Sequence, residues 1–425
     1  MKISVIGTGY VGLSAAVGFA KKGHHVICYD VDKEKLESIS KGKSPIYEPL
    51  IDEYLNGVIG ENLRTSSNLK ETIENTDVSF ICVGTPSDES GGMDLSYIKQ
   101  VSEEIAEVLK SKDSYHVIVV KSTVLPETTE SIILPRLENA GKAGKDFGLC
   151  MNPEFLREGS ALEDFLKPDR IVIGEYDKKS GDVLSELYSG FDAPLLRVGI
   201  KVAEMIKYAS NALLATKISY TNEMGNICKK LGIDTYDVMK GVGLDHRLSP
   251  NFLQAGVGFG GSCFPKDVSA LMKKSEELGH EPKLLKEVLD TNERQKIKII
   301  EHLERRLGNL EGKRIAVLGL AFKANTDDVR ESPAIKVISF LKYKGAEIAA
   351  HDPKAADNMR LKFPDIAYHE TVEEALRGSD AAIILTDWDE YMDLTDEHFN
   401  LMNNKVIVEG RKVLKSDIDF EGVCW

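Results

Sequence analysis

Gly7-Thr8-Gly9-Tyr10-Val11-Gly12 decides how this chain reads. It follows a short β-branched run, Lys2–Ile6, and opens an Ala-rich segment that reads as helix as far as Gly23. His25–Tyr29 then reads as a second strand ending in Asp30, 18 residues after Gly12. A GxGxxG pattern alone is a weak signal. A strand before it, a helix after it and an acid closing the next strand make it a dinucleotide-binding fingerprint. Gly7, Gly9 and Gly12 let backbone N–H groups at a helix start reach a pyrophosphate, with Tyr10 and Val11 in the same turn. Asp30 can accept hydrogen bonds from ribose hydroxyls, and its charge repels a 2′-phosphate. The pattern therefore favours NAD over NADP, with Lys35 as a nearby cation that works the other way. Ile3 to Ala20 is uncharged and long enough to imitate a membrane span. Its four glycines, with Thr8 and Ser14, argue instead for strand, turn and helix in a water-soluble fold.

Outward from this unit the β-α alternation continues. Val78–Val83, His116–Val120, Phe147–Met151 and Ile171–Ile173 read as strands of a mostly parallel sheet, with helices over Leu95–Lys110 and Thr128–Ala140. Ligands in such sheets sit beyond the carboxyl ends of the strands. Three segments fall there: Gly84-Thr85-Pro86, Lys121-Ser122-Thr123 and Asn152-Pro153-Glu154-Phe155-Leu156-Arg157-Glu158. Glu154 and Glu158 are four apart, which on a helix places them on one face. The same residues equally suit an Asn-capped first helical turn.

From about Gly199 the pattern changes. Val202 to Leu231 reads as one helix of about 30 residues, roughly 45 Å long. Its apolar positions cover much of the circumference, so burial is expected. Lys207 and Asn211 lie at i, i+4 within it. A lysine in such surroundings either reaches for water or is held for a purpose. Beyond it comes Gly258-Phe259-Gly260-Gly261-Ser262-Cys263-Phe264-Pro265-Lys266-Asp267. A thiol just before a helix start feels the positive end of the helix dipole, which favours thiolate, and Asp267 follows one turn later. Val268–Leu278 and Pro282–Leu307 read as helices. A second, smaller doubly wound pattern starts at Arg314–Leu318 and continues with strands Glu347–Ala350, Ala381–Leu385 and Lys405–Val408. Lys323, Arg330 and Arg411 fall on its loops and suit a phosphate-bearing ligand.

A length of 425 residues, 42% hydrophobic and 29% charged, fits a globular protein of roughly three domains. The net charge of −14 and the lack of a basic block argue against nucleic acid. Six scattered cysteines with no CxxC, and histidines with no HxxxH pair, suggest reduced cytoplasmic thiols and no metal site. A nicotinamide site beside a reactive thiol narrows the chemistry. Sulfur adds to an aldehyde to give a hemithioacetal that can lose hydride, and the resulting thioester is open to water. The combination predicts carboxylate formation, with two hydride transfers if the substrate starts as an alcohol.

At this point the chain resembles the UDP-glucose/GDP-mannose dehydrogenase family along essentially its whole length. The resemblance rests on GTGYVG (7–12), SPIYEP (44–49), CVGTP (82–86), KSTV (121–124), NPEFLREG (152–159), GFGGSCFPKD (258–267), GLAFK (319–323) and DDVRESPA (327–334). The segment FLREGSALEDFLKPDR resembles the UDP-glucose branch more than the GDP-mannose branch.

The resemblance implies two Rossmann-like doubly wound domains joined by a long central helix: 1–198 for NAD, 199–308 central and helical, 309–425 for the UDP-sugar. It implies an active site in a cleft and oxidation of UDP-glucose to UDP-glucuronate with two NAD and one water, a step that supplies polysaccharide synthesis. By the same resemblance Cys263 is the nucleophile, and Lys207 and Asn211 stabilise the oxyanion and handle the proton. Thr123, Glu154 and Asp267 serve water activation and base chemistry. Asp30, Lys35, Thr85, Thr123, Glu158 and Arg330 fall to the cofactor. Glu154, Phe155, Leu156, Lys207, Asn211, Phe252, Phe259, Gly260, Phe322, Lys323 and Arg411 fall to the sugar nucleotide. Arg247 reaches it across a homodimer interface, and higher assembly stays open. One departure stands out: Leu125-Pro126-Glu127 follows KSTV where many members have Pro-Pro-Gly, which puts that turn in question. The same chemistry on GDP-mannose or a UDP-N-acetylhexosamine, and a non-catalytic nucleotide sensor, are the competing readings.

Overall fold

The computed structural model describes residues 1–88, 91–415 and 417–425. Two compact units divide the chain, Met1–Ser210 and Asn211–Trp425. The first is built on eight strands: β1 (Lys2–Ile6), β2 (His25–Tyr29), β3 (Leu63–Ser66), β4 (Val78–Ile81), β5 (His116–Val120), β6 (Phe147–Met151), β7 (Ile171–Glu175) and β8 (Leu195–Gly199). Their order is β3-β2-β1-β4-β5-β6-β7-β8. The first six run parallel in the dinucleotide-binding order, with the switch point between β1 and β4. The expected mostly parallel sheet is present, but β7 joins it antiparallel to β6 and β8 extends it.

The uncharged N-terminal stretch is strand and helix, as read. Helix Tyr10–Lys21 is buried from Gly12 to Ala20. Phe19 packs there among Phe80, Phe165, Tyr188 and Phe191. Among the described residues no helix is long and apolar enough to cross a membrane. The segment expected as one helix over Thr128–Ala140 is instead a π turn (Thr129–Ile133), an α turn (Leu134–Leu137) and a 3₁₀ turn (Glu138–Ala140). Pro135 has no N–H for a regular ladder.

The second unit carries a six-stranded sheet, all parallel: β9 (Arg314–Leu318), β10 (Glu347–His351), β11 (Ala367–Tyr368), β12 (Ala381–Ile384), β13 (Ile407–Glu409) and β14 (Glu421–Gly422), ordered β11-β10-β9-β12-β13-β14. This repeats the β3-to-β6 order of the first unit, so the chain is α/β with two doubly wound sheets. The likeness reaches single bonds. Gly7 N–H donates to Tyr29 O, and Gly319 N–H donates to His351 O; both glycines have φ +96. A Cβ on Gly7 would lie 2.8 Å from Cys82 O, and one on Gly319 would lie 2.6 Å from Thr386 N. No L side chain fits either crossing point.

Helix Ile200–Leu231 spans 32 residues. Burial over much of its circumference was expected, and one face is exposed. Val202, Met205, Leu213, Tyr220 and Ile227 point outward, Leu213 63% and Tyr220 51% exposed. The stretch read as one helix over Pro282–Leu307 breaks at Ile297 into Lys283–Lys296 and Lys298–Leu307.

Candidate active site

In the first unit the loop after β1 leads into Tyr10–Lys21, whose N-cap, Gly9, has no side-chain cap. A Cβ on Gly9 would meet nothing within 4 Å, whereas one on Gly12 would fall 1.8 Å from Gly7 O. The helix start is therefore open on its outer side and tightly packed on its inner side, which suits a pyrophosphate. Asp30 closes the loop from below. Its Oδ2 accepts the Thr8 N–H and the Thr8 hydroxyl, both at 2.7 Å, and its Oδ1 accepts the Asp32 N–H at 3.0 Å. Burial opposes its charge, but these bonds and the nearby Lys35 hold the carboxyl below its ordinary value. A carboxylate has about four lone-pair sites, so one stays open for a ribose hydroxyl. The tie to Thr8 was not foreseen from sequence.

At the ends of β4 and β5 the Thr85 hydroxyl donates to Thr123 O at 2.9 Å. After β6, residues 152–157 form no helix, and the next helix begins only at Ala161. This corrects the reading of Glu154 and Glu158 as one helical face. Glu154 holds the loop differently. Its Oε2 accepts the Leu156 N–H at 2.6 Å and its Oε1 accepts from Lys207 Nζ at 2.8 Å. Both members of this pair are buried. Burial pushes the Glu154 carboxyl up, but the Lys207 charge and hydrogen bond, the Leu156 N–H and Lys121 outweigh it and keep it ionised. Phe155 lies with the Arg170 guanidinium 3.7 Å from its ring centroid and Lys207 Nζ at 5.6 Å. Glu158 is half-buried beyond Leu156.

In the second unit Cys263 is the N-cap of helix Phe264–Glu277, with Pro265 in the first turn. Asp267 is buried. Its Oδ2 accepts from Asn211 Nδ2 at 2.7 Å and its Oδ1 from Lys266 Nζ at 2.7 Å. Lys266, which had no role in the sequence reading, is thus the counter-ion of Asp267. Ser262 Oγ lies 3.6 Å from the Cys263 sulfur. The glycines before it are required by the chain's own packing. A Cβ on Gly260 would fall 2.3 Å from Glu331 O, and one on Gly261 would fall 2.7 Å from the Phe322 ring. Asn292 clamps the backbone of Phe259, accepting its N–H at 2.7 Å and donating to its carbonyl at 3.0 Å.

Arg411 Nη2 donates to Gly258 O at 2.7 Å, and Gly261 N–H donates to Arg330 O at 2.9 Å. Phe252 and Phe259 both meet the Phe264 ring edge-on. Lys323 is half-buried over Phe322. Arg330 is bidentate to Asp328. Arg247 stands apart, exposed and paired with Asp245.

Three domain models of the UDP-glucose/GDP-mannose dehydrogenase family match in order: the NAD binding domain over residues 1–192, the central domain over 201–294 and the UDP binding domain over 316–416. The chain belongs to this family. It is 42% identical to UDP-glucose 6-dehydrogenase AglM of Haloferax volcanii over the full length of both chains. It is 40% identical to GDP-mannose 6-dehydrogenase of Pseudomonas syringae pv. syringae, again over both full lengths. Among solved structures it resembles a UDP-glucose dehydrogenase from Pyrobaculum islandicum with TM-score 0.94 and 43% identity, covering 100% of this chain and 98% of that one.

As a member of this family the protein is an NAD-dependent oxidoreductase acting on a UDP-sugar. The open helix start at Gly9, and Asp30 with one free acceptor site, fit NAD. The loop after β9 does not repeat that arrangement. There Asp352, the counterpart of Asp30, keeps no acceptor site open: its Oδ2 accepts the N–H groups of Leu320 and Ala321 and the Trp388 indole N–H, and its Oδ1 those of Lys354 and Ala355.

Sequence reasoning missed several residues that hold these loops. Glu48 accepts the N–H groups of Gly159 (2.8 Å) and Ala161 (2.6 Å) and so fixes where the helix after the Glu154 loop begins. Its place inside SPIYEP was the available signal. Lys121, buried and lowered by that burial to about 8, donates to Asn152 Oδ1 at 2.9 Å. Glu409 accepts the Leu414 N–H at 2.5 Å and the Trp425 indole N–H at 3.1 Å, bracing the turn that carries Arg411.

Proposed function

We propose that the protein oxidises UDP-glucose to UDP-glucuronate, consuming two NAD and one water, with Cys263 as the covalent nucleophile. The observation that carries this reading is Cys263 at the N-cap of Phe264–Glu277 with Asp267 one turn on, bound to Asn211. A thiol at a helix start is biased toward thiolate. NAD held at the Gly7–Gly12 turn and Asp30 would supply the hydride acceptor for each of the two oxidations. Lys207 and Asn211, one turn apart on one helix, supply an ammonium and an amide for negative charge developing on O6. Lys207 Nζ, 2.8 Å from Glu154 Oε1, offers the O6 proton a route to a buried carboxylate. At the aldehyde level the Cys263 sulfur bonds to C6, giving a thiohemiacetal whose oxidation leaves a thioester. Water then attacks C6, the C–S bond breaks, and uronate and thiol are released. Thr123, Glu154 and Asp267 order and deprotonate that water.

Gly7, Gly9, Tyr10, Val11, Gly12, Asp30, Lys35, Thr85, Thr123, Glu158 and Arg330 are assigned to NAD. Phe155, Leu156, Phe252, Phe259, Gly260, Phe322, Lys323 and Arg411 are assigned to UDP-glucose. Residues 1–198, 199–308 and 309–425 are taken as the functional domains, and the cytoplasm as the compartment that keeps Cys263 reduced. The GDP-mannose 6-dehydrogenase of Pseudomonas syringae pv. syringae stands only two points of identity below UDP-glucose 6-dehydrogenase AglM. A panel of UDP-glucose, GDP-mannose and UDP-N-acetylhexosamines, followed by NADH absorbance, tests the assignment. UDP-glucose is expected to give the highest kcat/KM, and preference for another sugar nucleotide refutes it.

A homodimer through the central helix is part of this reading. Leu213, Tyr220 and Ile227 recur every seven residues on its exposed face, the spacing a second copy of the same helix covers. Arg247 then serves the partner's sugar. Leu213→Glu with Ile227→Glu is expected to convert the dimer to monomer in light scattering and to raise the KM for UDP-glucose.

A further inference from the structure

The turn that follows Thr123 is built against its own sequence. The Thr128 N–H donates to Leu125 O at 3.0 Å, with Pro126 and Glu127 in the middle positions. Glu127 has φ +82. This is the geometry of a type II turn, in which Pro suits the first central position and Gly the second. A glutamate occupies the glycine position, where a Cβ strains the backbone.

One turn of helix Ile200–Leu231 holds it there. Glu204, buried, accepts the Glu127 N–H on Oε2 and the Thr129 N–H on Oε1, both at 2.8 Å. Lys201, three residues earlier, lies 3.4 Å from Glu127 Oε1. The carboxylate also caps the Thr129–Ile133 segment, whose N-cap residue Thr128 makes no side-chain cap of its own. Burial pushes the Glu204 carboxyl up to about 7, and the hydrogen bonds from Thr129 and Glu127 act against that rise. On its other side Thr123 is anchored by the Thr85 hydroxyl on its carbonyl, and the next residue, Val124, is fully buried. Thr123 therefore sits on a short span with one fixed end at β4 and the other at Glu204.

We propose that Glu204 is a positioning residue for Thr123, clamping a left-handed Glu127 so that the loop holds one geometry. This rests on the role assigned to Thr123 above. Glu204 lies three positions before Lys207, so a single stretch of helix sets both the lysine and the loop.

The test compares Glu204→Gln, Glu127→Gly, the double variant and Thr123→Ala, all full-length, with NAD and UDP-glucose. Gln keeps the shape but turns an N–H₂ toward one of the two amides. The expected result for Glu204→Gln is a kcat loss of about tenfold or more, since small misplacements near the chemistry cost that much, with both KM values within about twofold. Hydrogen exchange at the Glu127 and Thr129 amides should speed up in the same variant without any ligand. Glycine adopts φ near +80 unaided, so Glu127→Gly in the Glu204→Gln background should restore kcat to within about threefold of the parent. Wild-type kcat in Glu204→Gln overturns the proposal, as does a double variant that regains its melting temperature but not its kcat. Wild-type kcat in Thr123→Ala would retire the role of Thr123. A Glu204→Gln defect rescued by Glu127→Gly would still establish the clamp.

Discussion

Cys263→Ser is expected to lower uronate production by about 10³-fold or more while leaving the fold at least as stable. Position 263 is a helix N-cap with no side-chain cap bond, and serine is a better cap than cysteine. Melting temperature should therefore hold or rise, which separates chemistry from folding. The hydroxyl does not ionise at neutral pH and forms no thioester, so the reaction stalls before carboxylate is released. NADH absorbance with product analysis and a thermal melt check both halves. Uronate turnover at the parent rate would remove sulfur from the mechanism.

Lys207→Ala should do damage of two kinds. Breaking a buried pair strands the other charge, and such losses run to about 3–5 kcal/mol of stability. Removing the ammonium from the developing oxyanion costs about 10²–10³ in kcat. The pH dependence gives a sign to check. With Lys207 in place the Glu154 carboxyl is held below its ordinary value, so its contribution to stability is present above the unfolded pKa and is lost as pH falls through the folded one. Without Lys207, burial becomes the dominant influence and the folded pKa rises above the unfolded one. The variant should then be relatively most stable in acid and lose stability as pH rises. Thermal melts of both proteins between pH 5 and 8 measure this. Identical pH slopes would show that the pair does not set the ionisation of Glu154.

Much of this was legible because the chemistry leaves local patterns. The strand, GTGYVG, helix and Asp30 lie within one βαβ unit, and the thiol, Pro265 and Asp267 lie within one helix start. Lys207 and Asn211 were found by their one-turn spacing in an apolar run. What was not legible depends on bonds between distant segments. Glu48, Glu204 and Asn292 each satisfy backbone groups between 33 and 113 residues away, and nothing periodic in the sequence announces them. Asn152-Pro153-Glu154 carries every local sign of a helix start. The helix is displaced to Ala161 because Glu154 accepts the Leu156 N–H and Glu48 caps the later turn. The apolar circumference of Ile200–Leu231 suggested burial and a face for a second subunit, but composition does not say which residues form that face.

A four-electron oxidation at one thiol fixes the NADH formed per UDP-glucose consumed, and that ratio is measured by NADH absorbance against substrate loss. Two NADH are expected for each UDP-glucose, with UDP-glucuronate as the product. One NADH for each UDP-glucose, with the sugar released as aldehyde, would contradict it.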